Sequence, residues 1–137
     1  MYANFIVGLE NLAPSSISGE DKGPAILGPT VQLSVPNFPT YYTFATNILI
    51  GKVDLTKKNK LKAKMFRKDN KEDIIFEIDT ELPLSYEPGD KQASINLTGE
   101  VRNGYFESEG EYRCIITVND EQLCDAPLYI TREIKGD

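Results

Sequence analysis

Residues 108–130 read Ser108-Glu109-Gly110-Glu111-Tyr112-Arg113-Cys114-Ile115-Ile116-Thr117-Val118-Asn119-Asp120-Glu121-Gln122-Leu123-Cys124-Asp125-Ala126-Pro127-Leu128-Tyr129-Ile130. Tyr112, Cys114, Ile116 and Val118 alternate with Arg113, Ile115 and Thr117, the period-two pattern of a strand with one buried face. Asn119-Asp120-Glu121 supplies turn chemistry, because Asn and Asp tolerate left-handed backbone. A second strand-like run from Gln122 to Ile130 follows at once, so the stretch is expected to be a β-hairpin. Pro127 in that run has no N–H to donate and implies a sheet edge or a bulge.

A second hairpin is expected over residues 60–79. Leu61, Ala63 and Met65 face one way, Lys60, Lys62 and Lys64 the other, and Asp69-Asn70-Lys71-Glu72 makes the turn. Centring the turn on Asn70-Lys71 sets Lys64 opposite Glu77, Lys62 opposite Asp79 and Lys60 opposite Glu81. The same register sets Met65 opposite Phe76, Ala63 opposite Ile78 and Phe66 opposite Ile75. Residues 52–71 hold nine of the fifteen basic residues and two acids, whereas residues 72–111 hold eleven acids and two bases. Cross-strand pairing accounts for this asymmetry, each exposed pair contributing on the order of a few tenths of a kcal/mol.

Elsewhere, residues 4–12 are expected to form a first strand with Phe5, Val7 and Leu9 on one face. Residues 13–28, rich in Pro, Ser and Gly, are expected to form a long loop. A short strand spans 29–35 and ends at Pro36, and residues 41–50 place Tyr42, Phe44, Thr46, Ile48 and Ile50 on one face. Residues 82–92 are expected to be a connection. Residues 93–101 are expected to be a strand with Ile95, Leu97 and Val101 inward and a bulge at Gly99, and residues 102–110 a polar loop holding Tyr105-Phe106. Seven or eight short strands without an amphipathic helix make an antiparallel β-sandwich the expected fold, as one domain over residues 1–137.

The composition excludes several function classes. The chain has 137 residues, 40% apolar and 26% charged, which is ordinary for one globular domain. No stretch reaches the roughly 20 apolar residues of a membrane helix, and the N-terminus lacks a basic region before an apolar core, so a cytoplasmic protein without a signal peptide is expected. The absence of histidine removes the commonest general base and the commonest zinc ligand. No glycine-rich phosphate loop occurs, so neither an enzyme nor a cofactor is expected. Two cysteines cannot hold a structural zinc alone, and Cys124 falls opposite Ile115 rather than Cys114, which disfavours a disulfide.

A net charge of −6 argues against a nucleic-acid partner. Glu107 and Glu109 with Asp120 could hold calcium at a loop end, although a solvated acidic rim is the simpler account. Lys57 and Lys58, ahead of the lysine strand and without a cross-strand acid, are candidate electrostatic contacts. Tyr105 and Phe106 cannot both point into one sheet face. Either one caps the core end while the other simply lies on the surface, or Tyr105 and Phe106 together form an aromatic anchor for a partner or for oligomerisation.

The segment Ser108-Glu109-Gly110-Glu111-Tyr112-Arg113-Cys114 resembles the immunoglobulin pattern Asp-x-Gly/Ala-x-Tyr-x-Cys, in which the tyrosine forms a corner at the start of strand F. Cys114 stands where that family's bridging cysteine stands, but the chain has neither an upstream cysteine nor a tryptophan. The whole chain is also similar to a family of uncharacterised bacterial and phage-borne proteins with an immunoglobulin-like sandwich. That likeness is carried by Ala3-Asn4-Phe5-Ile6-Val7, Phe38-Pro39-Thr40-Tyr41-Tyr42-Thr43-Phe44, residues 61–69, Gly110-Glu111-Tyr112 and Val118-Asn119-Asp120-Glu121. It implies the fold and a microbial cytoplasmic setting. The expected role is a non-enzymatic protein-binding or accessory module acting through loops at the sandwich end, among them residues 13–28. The alternatives are an assembly subunit, as a homo-oligomer or part of a phage particle, and a small-ligand or carbohydrate-binding module.

Overall fold

A computed structural model describes residues 1–12, 25–84 and 93–134. Ten strands lie among them: β1 (Tyr2–Gly8), β2 (Glu10–Leu12), β3 (Ala25–Leu27), β4 (Gln32–Val35), β5 (Thr40–Val53), β6 (Lys60–Arg67), β7 (Asn70–Glu81), β8 (Ala93–Phe106), β9 (Gly110–Val118) and β10 (Glu121–Arg132). Five strands form one sheet in the order β4-β10-β9-β6-β7, three form a second in the order β1-β5-β8, and β2 and β3 form a ribbon. All pairings are antiparallel except that of β4 with β10, which is parallel.

Strand β9 lies inside the five-stranded sheet, and its alternation decides what surrounds it. Tyr112, Cys114, Ile116 and Val118 are all buried. Their partners across β6 are Arg67, Met65, Ala63 and Leu61, the last three equally buried, so the apolar faces of two strands coincide. Leu33, Val35, Leu128 and Ile130 extend this face over β4 and β10. Ala3, Val7, Phe44, Ile48, Ile50, Ile95 and Val101 of the other sheet join it in one hydrophobic cluster. Asn119 and Asp120 both adopt positive φ, giving the tight two-residue turn between β9 and β10 expected from the sequence.

The lysine hairpin keeps the expected pairing from Lys60↔Glu81 to Met65↔Phe76. Its tip differs. The turn is at Lys68-Asp69, Ile75 is left unpaired so that Phe66 pairs with Ile74, and residues 71–73 form a second irregularity before Asn70 pairs with Arg67. The register shift at Gln122/Cys124 likewise sets Cys124 opposite Ile116 rather than Ile115, while Cys114 faces Ala126. Both cysteines are free. Pro127 occupies the part of β10 that precedes its pairing with β4, where the missing N–H costs no ladder bond.

Several expectations are corrected in the three-stranded sheet. Strand β1 stops at Gly8, and Leu9 is 56% exposed instead of buried. Strand β5 extends over Thr40–Val53 and is covered on both faces from Phe44 to Ile48, Ala45 and Asn47 being as inaccessible as Phe44 and Ile48. The second cover comes from the β2–β3 ribbon, where Leu9 N–H donates to Leu27 O at 2.7 Å and Asn11 Nδ2 donates to Gly99 O at 2.6 Å. Ile26 packs so tightly on Gly8 that a Cβ there would lie 2.6 Å from Ile26 Cγ1. The loop expected over residues 13–28 thus contains β3, and its residues 13–24 lie outside the described residues. The strand expected over 29–35 begins at Gln32, with Thr30 bridging to Val7.

Gly99 pairs regularly with Thr46, so the bulge is not there. It falls at Asn103, where β8 carries one extra residue between Tyr42 and Phe44, φ is +52°, and the backbone N–H donates to Thr43 Oγ1 at 3.0 Å. Strand β8 then continues through Phe106, and the polar loop expected over 102–110 shrinks to residues 107–109.

Phe106 packs edge-on against Tyr112 with ring centroids 5.2 Å apart and against Phe44 at 6.2 Å, joining the two sheets. Replacing Phe106→Ala should therefore destabilise the fold by about 3–5 kcal/mol in urea titrations. Tyr105→Ala, one residue away on the other face, should cost about 0.5 kcal/mol or less. Equal losses would contradict the assignment of the two rings to opposite faces.

Candidate functional site

The outer face of the three-stranded sheet carries an aromatic pair. Tyr41 and Tyr105 are cross-strand partners on β5 and β8, with ring centroids 5.1 Å apart and planes inclined by 50°. Their flanking partners, Thr40 with Phe106 and Tyr42 with Gly104, belong to the opposite face, so alternation drives both tyrosines outward. Tyr41 is 68% and Tyr105 42% exposed, whereas Phe106 is 0% exposed. The sequence expectation for Tyr105-Phe106 thus divides: Tyr105 is the surface ring, and Phe106 is core and presents nothing to a partner. Tyr41 was missed because its partnership with Tyr105 is set by a register spanning 64 residues and a bulge at Asn103.

Lys57 and Lys58 lie elsewhere. They follow the end of β5, some 40 Å along that strand from Tyr41 at about 3.3 Å per residue. Lys57 is not unpaired as expected, because its Nζ lies 4.0 Å from Asp54 Oδ2. The loop is built from side-chain caps. Asp54 Oδ1 accepts from Thr56 N–H at 3.0 Å and from its hydroxyl at 2.5 Å, and Asn59 Nδ2 donates to Asp54 O and Lys57 O. Asn119 in the β9–β10 turn donates through Nδ2 to Asn59 Oδ1 and accepts Lys60 N–H at its Oδ1, both at 2.9 Å. These bonds fix the two loops to each other.

At the tyrosine end of the strands, Arg67 fastens the β6–β7 turn to the β8–β9 loop. Its guanidinium donates to Asp69 Oδ1 at 2.7 Å, to Ser108 Oγ and to Glu109 O at 3.1 Å, and it lies 5.9 Å from the Tyr112 ring centroid. Tyr112 in turn donates its hydroxyl to Ser108 O at 3.4 Å. Burial raises the Tyr112 hydroxyl above its ordinary pKa and the Cys114 thiol above its own, so both are neutral packing groups.

Glu111 collects a Tyr129 hydroxyl at 2.5 Å, Lys68 Nζ at 3.0 Å and Arg113 Nη1 at 3.5 Å, while Arg113 Nε donates to Asp125 at 2.8 Å. The Tyr129 hydrogen bond, followed by that from Lys68, holds the Glu111 carboxyl below its usual range. The same bond raises the Tyr129 hydroxyl.

Among the described residues no three acids or thiols converge on a cation site. Glu107 and Glu109 lie between β8 and β9, whereas Asp120 is in the turn at the opposite end of β9, so the three candidate calcium ligands are separated. No described helix is long and apolar enough to cross a membrane.

The family of unknown function DUF6941 matches residues 17–131. The chain belongs to this family. No curated protein matches the chain. The match runs from the segment before β3 almost to the end of β10, so this DUF6941 member carries Tyr41, Tyr105, the lysine hairpin and the Glu111 cluster all within the shared region.

A carboxyl with a lowered folded-state pKa stabilises above its ordinary value of 4.5, and that contribution is lost as pH falls through the folded value. Glu111→Gln should accordingly lower the melting temperature at pH 7, and the gap to wild type should close as pH drops from 4.5 toward 2. A gap independent of pH would contradict the ionic role of Glu111.

Proposed function

We propose that this DUF6941 member is a non-enzymatic, immunoglobulin-like module that binds a protein partner, with the Tyr41–Tyr105 pair at the centre of the contact. The strand order supports the fold assignment. Sheet β10-β9-β6-β7 corresponds to G-F-C-C′ and sheet β1-β5-β8 to A-B-E of an immunoglobulin sandwich, with β4 added beside G. The Tyr112 hydroxyl, bonded to the carbonyl four residues upstream, supports a tyrosine corner at the start of strand F. The Phe44–Phe106–Tyr112 aromatic cluster contributes core contacts in a chain that has no tryptophan and no disulfide.

The observation that carries the functional proposal is the exposure of two contacting tyrosines on a regular strand pair. Tyrosine brings a large contact area at low entropic cost and is enriched in binding hot spots. Strand pairing presets both rings, which reduces the ordering cost of binding. Their 50° inclination makes a wedge rather than the flat platform on which a sugar ring stacks, which favours a protein over a carbohydrate. The sequence likeness to bacterial and phage-borne proteins supports a partner of microbial or mobile-element origin.

The assembly reading retains one supporting observation. Strand β8, 14 residues long, pairs only with β5 among the described strands, leaving an edge to which a second chain could add. Affinity capture from cells of the source, with light scattering on the purified chain, separates the two. The binding reading predicts a monomer and a discrete partner lost from Tyr41→Ala/Tyr105→Ala without a change in melting temperature. A partner retained by that variant, or a concentration-dependent oligomer that captures nothing, would overturn it.

A further inference from the structure

The lysine hairpin has the register that should neutralise it, yet three of its lysines form no ion pair. Lys60 reaches diagonally to Asp79 at 3.6 Å, taking the carboxylate that stands opposite Lys62. Lys62, Lys64 and Lys71 make no ion pair among the described residues. The expectation that each lysine is answered across the strand is therefore corrected. These three lysines surround a groove of about 310 Å³ on the outer face of the five-stranded sheet, with Phe66 and Ile115 in its lining.

A second groove of about 340 Å³ shares Phe66, Lys71 and Ile115 with the first and adds Lys68, Arg113 and Asp125. Together they form one trough lined by five cations and two carboxylates, Glu77 and Asp125. Lys68 and Arg113 are anchored by Glu111, so that end of the trough is built in advance of any ligand.

We infer that this trough binds an acidic peptide segment of a protein partner, one in which carboxylates alternate with apolar side chains. Three unanswered ammonium groups around an apolar lining match that pattern: carboxylates meet the lysine rim while apolar side chains cover Ile115. Nucleic acid fits less well. The aromatic ring in the lining, Phe66, is buried and offers no face for a base to stack on, and the carboxylates of Glu77 and Asp125 oppose a continuous phosphate backbone. The trough lies on the opposite sheet from Tyr41 and Tyr105 and does not depend on their role.

The test is fluorescence anisotropy of the full chain with a fluorescein-labelled decapeptide of alternating glutamate and valine, its glutamine counterpart, and a ten-residue oligothymidine. Saturable binding of the glutamate peptide is expected, weakening with added salt. Lys62→Gln/Lys64→Gln/Lys71→Gln should reduce affinity about tenfold or more, and the triple Lys→Arg variant should keep it within about twofold. Tyr41→Ala/Tyr105→Ala should leave it unchanged. Absence of saturable binding, equal binding of the glutamine peptide, insensitivity to the triple Gln substitution, loss on Tyr41→Ala/Tyr105→Ala, or tighter oligothymidine binding would overturn the inference.

Discussion

Strand β9 is hydrogen-bonded to β6 on one side and β10 on the other, and its strict alternation leaves its neighbours little freedom. Because Tyr112, Cys114, Ile116 and Val118 all face inward, a one-residue slip of either neighbour would turn a row of apolar side chains into water. The same constraint turns Arg113, Ile115 and Thr117 outward, alongside Lys62, Lys64 and Phe66 of β6. Core and trough are thus two faces of one register. Tyr112 adds the link to the other sheet through Phe106, and Arg67 closes the end of the strands over it.

The faces of the molecule are unequal. The three-stranded sheet has the β2–β3 ribbon over Ala45 and Asn47 but leaves Tyr41 and Tyr105 uncovered among the described residues. The five-stranded sheet carries its charges in the open. Its ionic contacts at Glu111 hold the β6–β7 turn, β9 and β10 together, joining strands that the backbone ladder already pairs. At the other end, Asn59 and Asn119 perform the same service with neutral hydrogen bonds. Both cysteines are free, so neither end is tied by a disulfide.

What was legible in the sequence was local. The two hairpins, the Asn119-Asp120 turn, the inward rows of β6 and β9 and the all-β class follow from period-two patterning and turn residues. The structure departs from these expectations where one residue of slack or a distant partner decides the outcome. The bulge at Gln122/Cys124 moved Cys124, the irregularities at Ile75 and residues 71–73 moved the hairpin tip, and the extra residue at Asn103 let β8 run on to Phe106. Leu9 continues the alternation of Phe5 and Val7, but the strand ends at Gly8 before the ribbon starts. The exposed tyrosine pair was half visible: Tyr105 stood out in a polar stretch, whereas Tyr41 lay inside an apolar run and only long-range pairing exposes it. The unanswered lysines were invisible, since register fixes which residues face each other but not which ammonium reaches which carboxylate.

Site-resolved amide hydrogen exchange tests the central place of β9 most directly. If β9 is flanked by β6 and β10, the amides from Tyr112 to Val118 exchange only through global unfolding and are among the slowest in the chain. Those of β7, which pairs on one side only, and of the β2–β3 ribbon exchange earlier by local opening. Fast exchange along β9, or protection of β7 equal to that of β9, would contradict the strand order on which this account of the molecule rests.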